Sequence, residues 1–396
     1  MPRKSLCIQG VGVVQCMCDR EARADLTRLR RDFGGWTTVP MGLGFPGKAD
    51  EWLAQRAPHH SVVVSTRARL ARNFVRTPFA PYAEDDQLER VAAQTAEAFE
   101  NEAALTDFVG FPLASLETDE RSFLRESFLI SREMERGGVG RIVYLNGDMD
   151  ASVMVNEEDH LRLSALASGF RLQETYARIA RIAEPVEARL PMAATDEFGY
   201  LTACPTNTGT GLRLSVMLHL PALAMISQIQ ETLSSLGNYG LTVRGGAGEH
   251  SENFGDLYQV SNEVTLGKSE SQIVALIEEI VLQIIRKELN AREVLFRAAP
   301  ARLEDAVCRA MGVLSMVRNI DAIESVSMLS RTRLGIGREW GVPLTHAHLN
   351  RLFVDVMPAH LQMKRSSADT PNDRDRVRAA FLREIFHNGG DGGRRK

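Results

Sequence analysis

Residues Cys204 to Pro221 constrain the fold more than any other stretch of the chain. Pro205, Gly209 and Gly211, with Thr and Asn between them, exclude a helix from the first half and mark a loop. From Leu212 the sequence alternates. Leu212, Leu214, Val216, Leu218 and Leu220 are apolar, and Arg213, Ser215, Met217 and His219 fall between them. A period of two predicts a strand with one face in the core. Arg213 then projects from the other face, just after a loop rich in hydroxyls and glycine. A guanidinium beside such a loop suits a phosphate group. Taken alone, an arginine on a solvated strand face is the simpler account.

Other segments repeat the pattern of arginine at a strand or loop. Ser61–Val64 is a short β-branched strand running into Ser65-Thr66-Arg67-Ala68-Arg69. If the strand continues, Arg67 and Arg69 point to one side, where they repel unless an anion lies between them. The alternative is a pair of solvated arginines. Arg141–Leu145 and Ala151–Val155 read as strands joined by an Asn-Gly-Asp turn. Asn156-Glu157-Glu158-Asp159-His160-Leu161-Arg162 follows. In an extended chain Glu158, His160 and Arg162 would share a face; an acidic turn before a half-buried strand fits equally well. Leu241–Val243 runs into Arg244-Gly245-Gly246-Ala247-Gly248-Glu249, where the glycines let backbone approach a ligand. This loop lacks Gly-x4-Gly-Lys-Ser/Thr and is no P-loop.

Apolar residues at three- and four-residue spacing predict helices over 86–103, 118–130, 172–190 and 221–236. A capping box at Ser269–Gln272 opens a long helix to about Phe296. Further helices are expected over 300–317, 322–334 and 345–356, with another starting at Thr370-Pro371. The predicted class is α+β.

A chain of 396 residues can hold two domains, and 44% hydrophobic, 25% charged and net charge −4 are ordinary for a soluble protein. No basic excess points to nucleic acid, and no apolar run suggests a membrane span. Five cysteines, unevenly spaced, do not make a disulfide framework and suggest a reducing, cytoplasmic setting. Residues 1–40 lack periodicity and are expected to be a disordered extension, or to precede the true start at Met41. The expected division is a catalytic domain over 41–290 and a helical domain over 291–396.

Arg67, Arg69, Arg162, Arg213 and Arg244 therefore sit at strands or loops in company with Glu158 and Glu249. Many arginines with a few carboxylates suit phosphoryl transfer from ATP, which is mostly positioning and charge stabilisation, with Mg2+ on the phosphate oxygens. The carboxylates suit a cationic acceptor. A guanidinium, with a pKa above ~12, must be oriented and deprotonated to attack phosphorus. A thiolate at Cys204 could add negative charge beside it, although a small buried cysteine is the commoner case.

Four segments in order resemble the ATP:guanido phosphotransferases: 65–73, 156–162, 204–213 and Arg244-Gly-x-x-Gly-Glu249. The resemblance covers about residues 45–290 and implies an antiparallel sheet flanked by helices, of the glutamine-synthetase-like type. It implies nucleotide-binding spans at Ser65, Thr66, Arg67, Ala68 and Arg69, at Arg213, Leu214, Ser215, Val216 and Met217, and at Arg244, Gly245, Gly246, Ala247, Gly248 and Glu249. Arg162 joins the phosphate contacts. Glu158 and Glu249 become the acceptor-binding and proton-accepting carboxylates, and Cys204 the thiol beside the acceptor. The chain departs from common family patterns at His250, Ala247 and Phe128.

Within the family the chain is similar to the bacterial branch that phosphorylates arginines of proteins. At most a short segment from Met41 to His60 precedes the first arginine motif, whereas the small-molecule kinases carry a sizeable helical domain there. The chain also continues from Glu270 to Lys396. By that likeness Arg374 and Arg378, on one helix face, would hold the phosphate of a protein phosphoarginine, with Asp375 on its guanidinium and Ala379 adjoining. The implied partners are protein substrates, an activator protein, a Clp-type unfoldase or protease, and a second copy in a homodimer. The alternatives are a kinase of free arginine or another small guanidino compound, favoured by His250, and an inactive phosphoarginine-binding adaptor.

Overall fold

The computed structural model describes residues 50–245, 254–365 and 370–388. Its strands are β1 (Val63–Arg72), β2 (Phe108–Pro112), β3 (Ile142–Asn146), β4 (Ala151–Val155), β5 (Leu161–Ser168), β6 (Ala194–Thr195), β7 (Gly199–Tyr200), β8 (Leu212–His219), β9 (Leu241–Gly245) and β10 (Leu257–Asn262). All but β6 and β7 form one eight-stranded sheet in the order β2-β3-β4-β5-β1-β8-β10-β9. Every neighbouring pair in it is antiparallel. The expected strand at Ser61–Val64 does continue, through the arginines to Arg72.

The helices are α1 (Asp85–Glu100), α2 (Thr118–Glu126), α3 (Arg132–Glu135), α4 (Leu172–Arg189), α5 (Pro221–Met225), α6 (Ile229–Ser234), α7 (Glu270–Ala298), α8 (Pro300–Met316), α9 (Ala322–Leu334), α10 (His346–Asp355), α11 (Pro358–Arg365) and α12 (Pro371–Asn388). The capping box predicted at Ser269 is present, its side chain accepting from the Gln272 N–H while Gln272 caps in return; such a cap contributes about 1 kcal/mol. The single helix expected over 221–236 is instead broken after Met225, where Ser227 adopts a φ of 59°. The expected boundary at 290/291 falls inside α7.

Alternation divides the sheet's two faces. Ala68, Leu70, Leu163, Ala165, Leu214 and Val216 point to one side and are buried with Ile179 and Val186 of α4 and Ile273, Ile277 and Ile284 of α7. The other side has two halves. Over β2, β3, β4 and the end of β5, Phe111, Val143, Met154 and Leu166 pack against Phe123 and Leu124 of α2. Over β1, β8, β10 and β9 the same side is polar, and the site lies there.

The helices after α7 have their own core, built on Leu314, Leu329, Leu349, Leu352 and Leu382. Buried polar groups join them to the sheet. The Arg333 guanidinium donates to the carbonyls of Ser61 (2.8 Å) and His60 (2.6 Å) and to His219 Nδ1 (2.8 Å). Arg292, paired with Glu288 at 2.7 Å, donates to the Ser61 and His219 carbonyls. Burial, then the Arg333 and Arg292 charges, hold His219 well below the usual imidazole range, so it stays neutral.

Candidate active site

Register brings the predicted arginines to one face. Arg69 of β1 stands opposite Arg213 of β8 and Ser164 of β5. Arg67 stands opposite Ser215 and Leu166, and Ser215 in turn opposite Ser261 of β10. Ala71 faces Arg162. Arg244 of β9 stands opposite Gln259, which faces Met217, which faces Ser65. Directly opposed residues share a face and alternate residues return to it. Arg67, Arg69, Arg162, Arg213 and Arg244 therefore emerge on one side of four strands.

These charges are held apart by neutral groups and one acid. Arg67 Nε donates to Ser164 Oγ (3.1 Å), and Arg213 Nη2 to Ser261 Oγ (3.2 Å). Arg162 Nη1 donates to the buried Glu157 at 2.5 Å and lies 3.9 Å from Glu158 Oε2. Arg69 Nε is buried with no hydrogen-bond partner. Arg67 and Arg69 are recessed, with part of their surface open and protein around the rest. Burial, then the Arg162 and Arg213 charges, pull Arg67 down to about 10 against the opposing field of Glu157. Burial and the Arg67, Arg162 and Arg213 charges pull Arg69 well below the usual guanidinium range. Such mutual depression means the ligand-free cluster is repulsive, and an anion with several charges relieves it.

The acidic segment turns rather than extends. Asn156 has a φ of 58° and its N–H bonds to the His160 carbonyl, so β5 begins only at Leu161. Of the two arrangements the sequence allows, this is the acidic turn; the extended one, in which Glu158, His160 and Arg162 would share a face, does not occur. His160 points into the protein: the Phe74 N–H donates to Nδ1 (2.9 Å), and Nε2–H donates to the Pro78 carbonyl (2.8 Å). That pattern fixes the neutral tautomer, and burial lowers its pKa further. Glu157 is also inward. Burial would raise it, but Arg162 and hydrogen bonds from Ser131, Arg162 and the Glu158 N–H hold it below the usual carboxylate range. Glu158 is left with its side chain 40% exposed at the cleft.

Asp159 ties this turn to the cysteine loop. Its Oδ1 accepts from Asn73 Nδ2 (2.6 Å) and from the Ala203 N–H (2.8 Å), one residue before Cys204. Asn73 also accepts from the His160 N–H and donates to the Leu201 carbonyl. Cys204 is half-buried, with Sγ 3.0 Å from Thr206 Oγ1. Beyond it, Gly211 has a φ of 66° and packs so closely on β1 that a Cβ would lie 2.6 Å from the Ala71 carbonyl oxygen. Only glycine lets the loop enter β8 with Arg213 in register. Arg72 braces the same loop through Glu187 (2.7 Å) and the Thr210 carbonyl (3.0 Å).

Of the predicted nucleotide spans, Ser65, Arg67, Arg69, Arg213, Ser215, Met217 and Arg244 lie on the polar face, while Ala68, Leu214 and Val216 are buried in the core. Thr66 faces away, its hydroxyl donating to the Gly169 carbonyl at 2.6 Å. Gly245 closes β9; Gly246, Ala247, Gly248, Glu249 and His250 lie outside the described residues. Arg374, Asp375, Arg378 and Ala379 are on α12. Arg378 is buried there, donating to the Val356 and Ile320 carbonyls (2.7 and 2.9 Å) and to Asp375 (2.5 Å). Sequence reasoning gave no role to Glu157, Asp159, Asn73, Ser164 and Ser261. The first three lie inside the motifs, but nothing in residue order separates an acid facing inward from one facing the cleft.

Comparison with known proteins agrees with this geometry. Residues 90–291 match the family model described as ATP:guanido phosphotransferase, C-terminal catalytic domain, and residues 300–394 match the protein-arginine kinase McsB C-terminal domain. The chain is 40% identical over 339 residues to a protein-arginine kinase of Moorella thermoacetica, covering 85% of this chain and 97% of that one. It is 38% identical over 338 residues to the protein-arginine kinase of Bacillus subtilis, covering 85% and 93%. Among solved structures, lombricine kinase superposes with a TM-score of 0.52 at 23% identity, over 67% of this chain and 76% of that chain. The duplicated taurocyamine kinase of Schistosoma mansoni gives 0.54 at 25% identity, over 72% and 42%. These structural matches bear out the antiparallel-sheet fold.

Proposed function

The chain belongs to the ATP:guanido phosphotransferase family, and on that premise we propose that it is a protein-arginine kinase whose own residues divide the work as follows. The arginine face seats ATP. Arg67, Arg69, Arg162, Arg213 and Arg244 neutralise the phosphates and the charge that develops on the transferring phosphoryl group. Mg2+ would ride on the phosphate oxygens; among the described residues no cluster of three His, Cys, Asp or Glu side chains could hold a metal by itself.

Glu158 and Glu249 bind the substrate guanidinium. One accepts its proton as the terminal nitrogen bonds to the γ-phosphorus, and the bond to the ADP oxygen breaks. The thiol of Cys204 sits beside the acceptor. Glu157 does not touch substrate; it positions Arg162. The observation that carries this reading is the convergence of recessed arginines on one sheet face, an arrangement that repels itself until a polyanion enters. Glu158→Gln tests it: transfer to protein arginine falls by about two orders of magnitude or more while ATP affinity is kept. Equal loss of both would assign Glu158 to the nucleotide instead.

Several further features rest on the likeness to the protein-arginine kinases. Arg374 and Asp375 on α12 form a phosphoarginine-responsive site with Arg378. Phosphorylated proteins go to a Clp-type unfoldase or protease, and an activator protein raises activity. Two copies associate through the C-terminal helices, where Val294, Met316 and Ile323 are exposed. The enzyme works in the cytoplasm, a setting in keeping with the free thiols Cys204 and Cys308. Among the described residues no helix is long and apolar enough to cross a membrane.

A further inference from the structure

Beside the acceptor carboxylate lies a cleft of about 510 Å³. It opens between the segment entering α1 and the loop between α3 and β3, with Glu158 on its wall. Ala80, Pro81, Leu88 and Val139 give it apolar sides. Asp85 and Glu158 give it acidic ends; Glu133 also lines it, but is paired with Arg136 (2.6 Å) and Arg141 (3.2 Å).

The carboxylates of Asp85 and Glu158 in this wall are acceptors only. Arg141 also lines it, but most of its donors are spent inward. Nε donates to the Asn156 carbonyl (3.1 Å), Nη1 to the Glu133 and Gly137 carbonyls (2.5 and 2.9 Å), and Nη2 to Glu133 Oε1 (3.2 Å). Asn156 is 2% exposed and part of the wall. Its Nδ2 is likewise spent, on the carbonyls of Leu88 (2.8 Å) and Gly140 (2.9 Å), which belong to the two sides of the cleft. Its Oδ1, the opposite end of the amide, is buried with no hydrogen-bond partner. A buried acceptor without a donor is costly.

Apolar sides with acceptor-only ends fit an alkyl stem carrying a cationic, donor-rich head. That is the chemistry of arginine and lysine side chains. We propose that this cleft receives a second basic side chain of the polypeptide substrate, flanking the arginine that is phosphorylated. The inference rests on the protein-kinase reading given above. Because Glu158 borders both places, the flanking residue is close in sequence to the acceptor, and the cleft sets a preference for basic surroundings.

The test uses the full chain, Mg-ATP and three peptides, each with one acceptor arginine flanked by lysine, glutamine or glutamate. Lysine rather than arginine flanks keep a single acceptor. The wild type should favour the lysine-flanked peptide over the glutamine-flanked one by roughly threefold to tenfold in kcat/KM. The preference should shrink at high salt, and the glutamate-flanked peptide should be the poorest. Asp85→Asn, at an exposed first turn, should abolish most of the preference by raising KM for the lysine-flanked peptide alone. KM for ATP and turnover of the glutamine-flanked peptide should stay unchanged. Equal use of all three peptides by the wild type, or a preference untouched in both Asp85→Asn and Asp85→Lys, would overturn the proposal. Absence of phosphoarginine in every peptide and in casein would instead remove the kinase reading on which it rests.

Discussion

Replacing His360 should change the pH dependence of folding in a defined window. His360 lies in the first turn of α11 and is fully buried. Nε2 lies 2.7 Å from Asp50 Oδ2, and Nδ1 lies 2.9 Å from Glu126 Oε2 at the end of α2. The two Glu126 oxygens also accept from the Ala359 and His360 N–H groups. Burial alone would lower the imidazole pKa, but Asp50 and Glu126 outweigh it and raise the value from 6.5 to about 9. That rise corresponds to about 3 kcal/mol in favour of the folded state. The contribution is complete below pH 6.5 and is lost as pH rises through about 9, because only the imidazolium is favoured by the two carboxylates. Urea denaturation of the wild type and of His360→Gln, from pH 6 to 10, measures it. Glutamine keeps a donor but does not titrate, so the stability difference between the proteins should fall by about 3 kcal/mol across the window. Two profiles that run parallel from pH 6 to 10 would refute the charged triad.

Other substitutions probe the site and the C-terminal region. Arg69→Met should weaken ATP binding about tenfold or more, as loss of a charge-assisted contact does, yet raise the melting temperature of the ligand-free protein by relieving repulsion; calorimetry reads both. Glu157→Gln should lower kcat about tenfold or more by releasing Arg162, with a smaller change in KM for the protein substrate. Arg374→Ala should abolish stimulation by phosphoarginine peptides with little change in melting temperature. Arg378→Ala should destabilise the protein by about 2–4 kcal/mol, because its guanidinium joins α12 to the Val356 and Ile320 carbonyls; an Arg378 variant therefore cannot by itself test phosphate binding.

Much of this was legible in residue order because period and spacing are local properties. Alternation at 212–220 located β8 and the side on which Arg213 stands. The pair at Arg67 and Arg69 needed only the strand to continue. What residue order could not supply was register. Arg69 faces Arg213 through a pairing of distant segments, and no local rule sets that pairing. At 156–160 residue order leaves an acidic turn and an extended run equally open, because Asn156 at positive φ looks like any other asparagine before a strand. The edge strand β2 and the partner strand β10 were missed; β2 contains Gly110 and ends on Pro112, both poor strand signals. Helix α11 was missed because Pro358–Arg365 is short and carries His360 where an apolar residue would be expected. That histidine is buried only because Asp50 and Glu126 arrive from other parts of the chain.

The most direct test of the central claim is mass spectrometry, under non-acidic conditions, of casein incubated with the full chain and Mg-ATP, with free arginine in a parallel reaction. The account predicts acid-labile phosphate on arginine side chains of the protein, lost in Glu158→Gln, and little or none on free arginine. Phosphate on free arginine alone would contradict it and assign the arginine face to a small-molecule kinase.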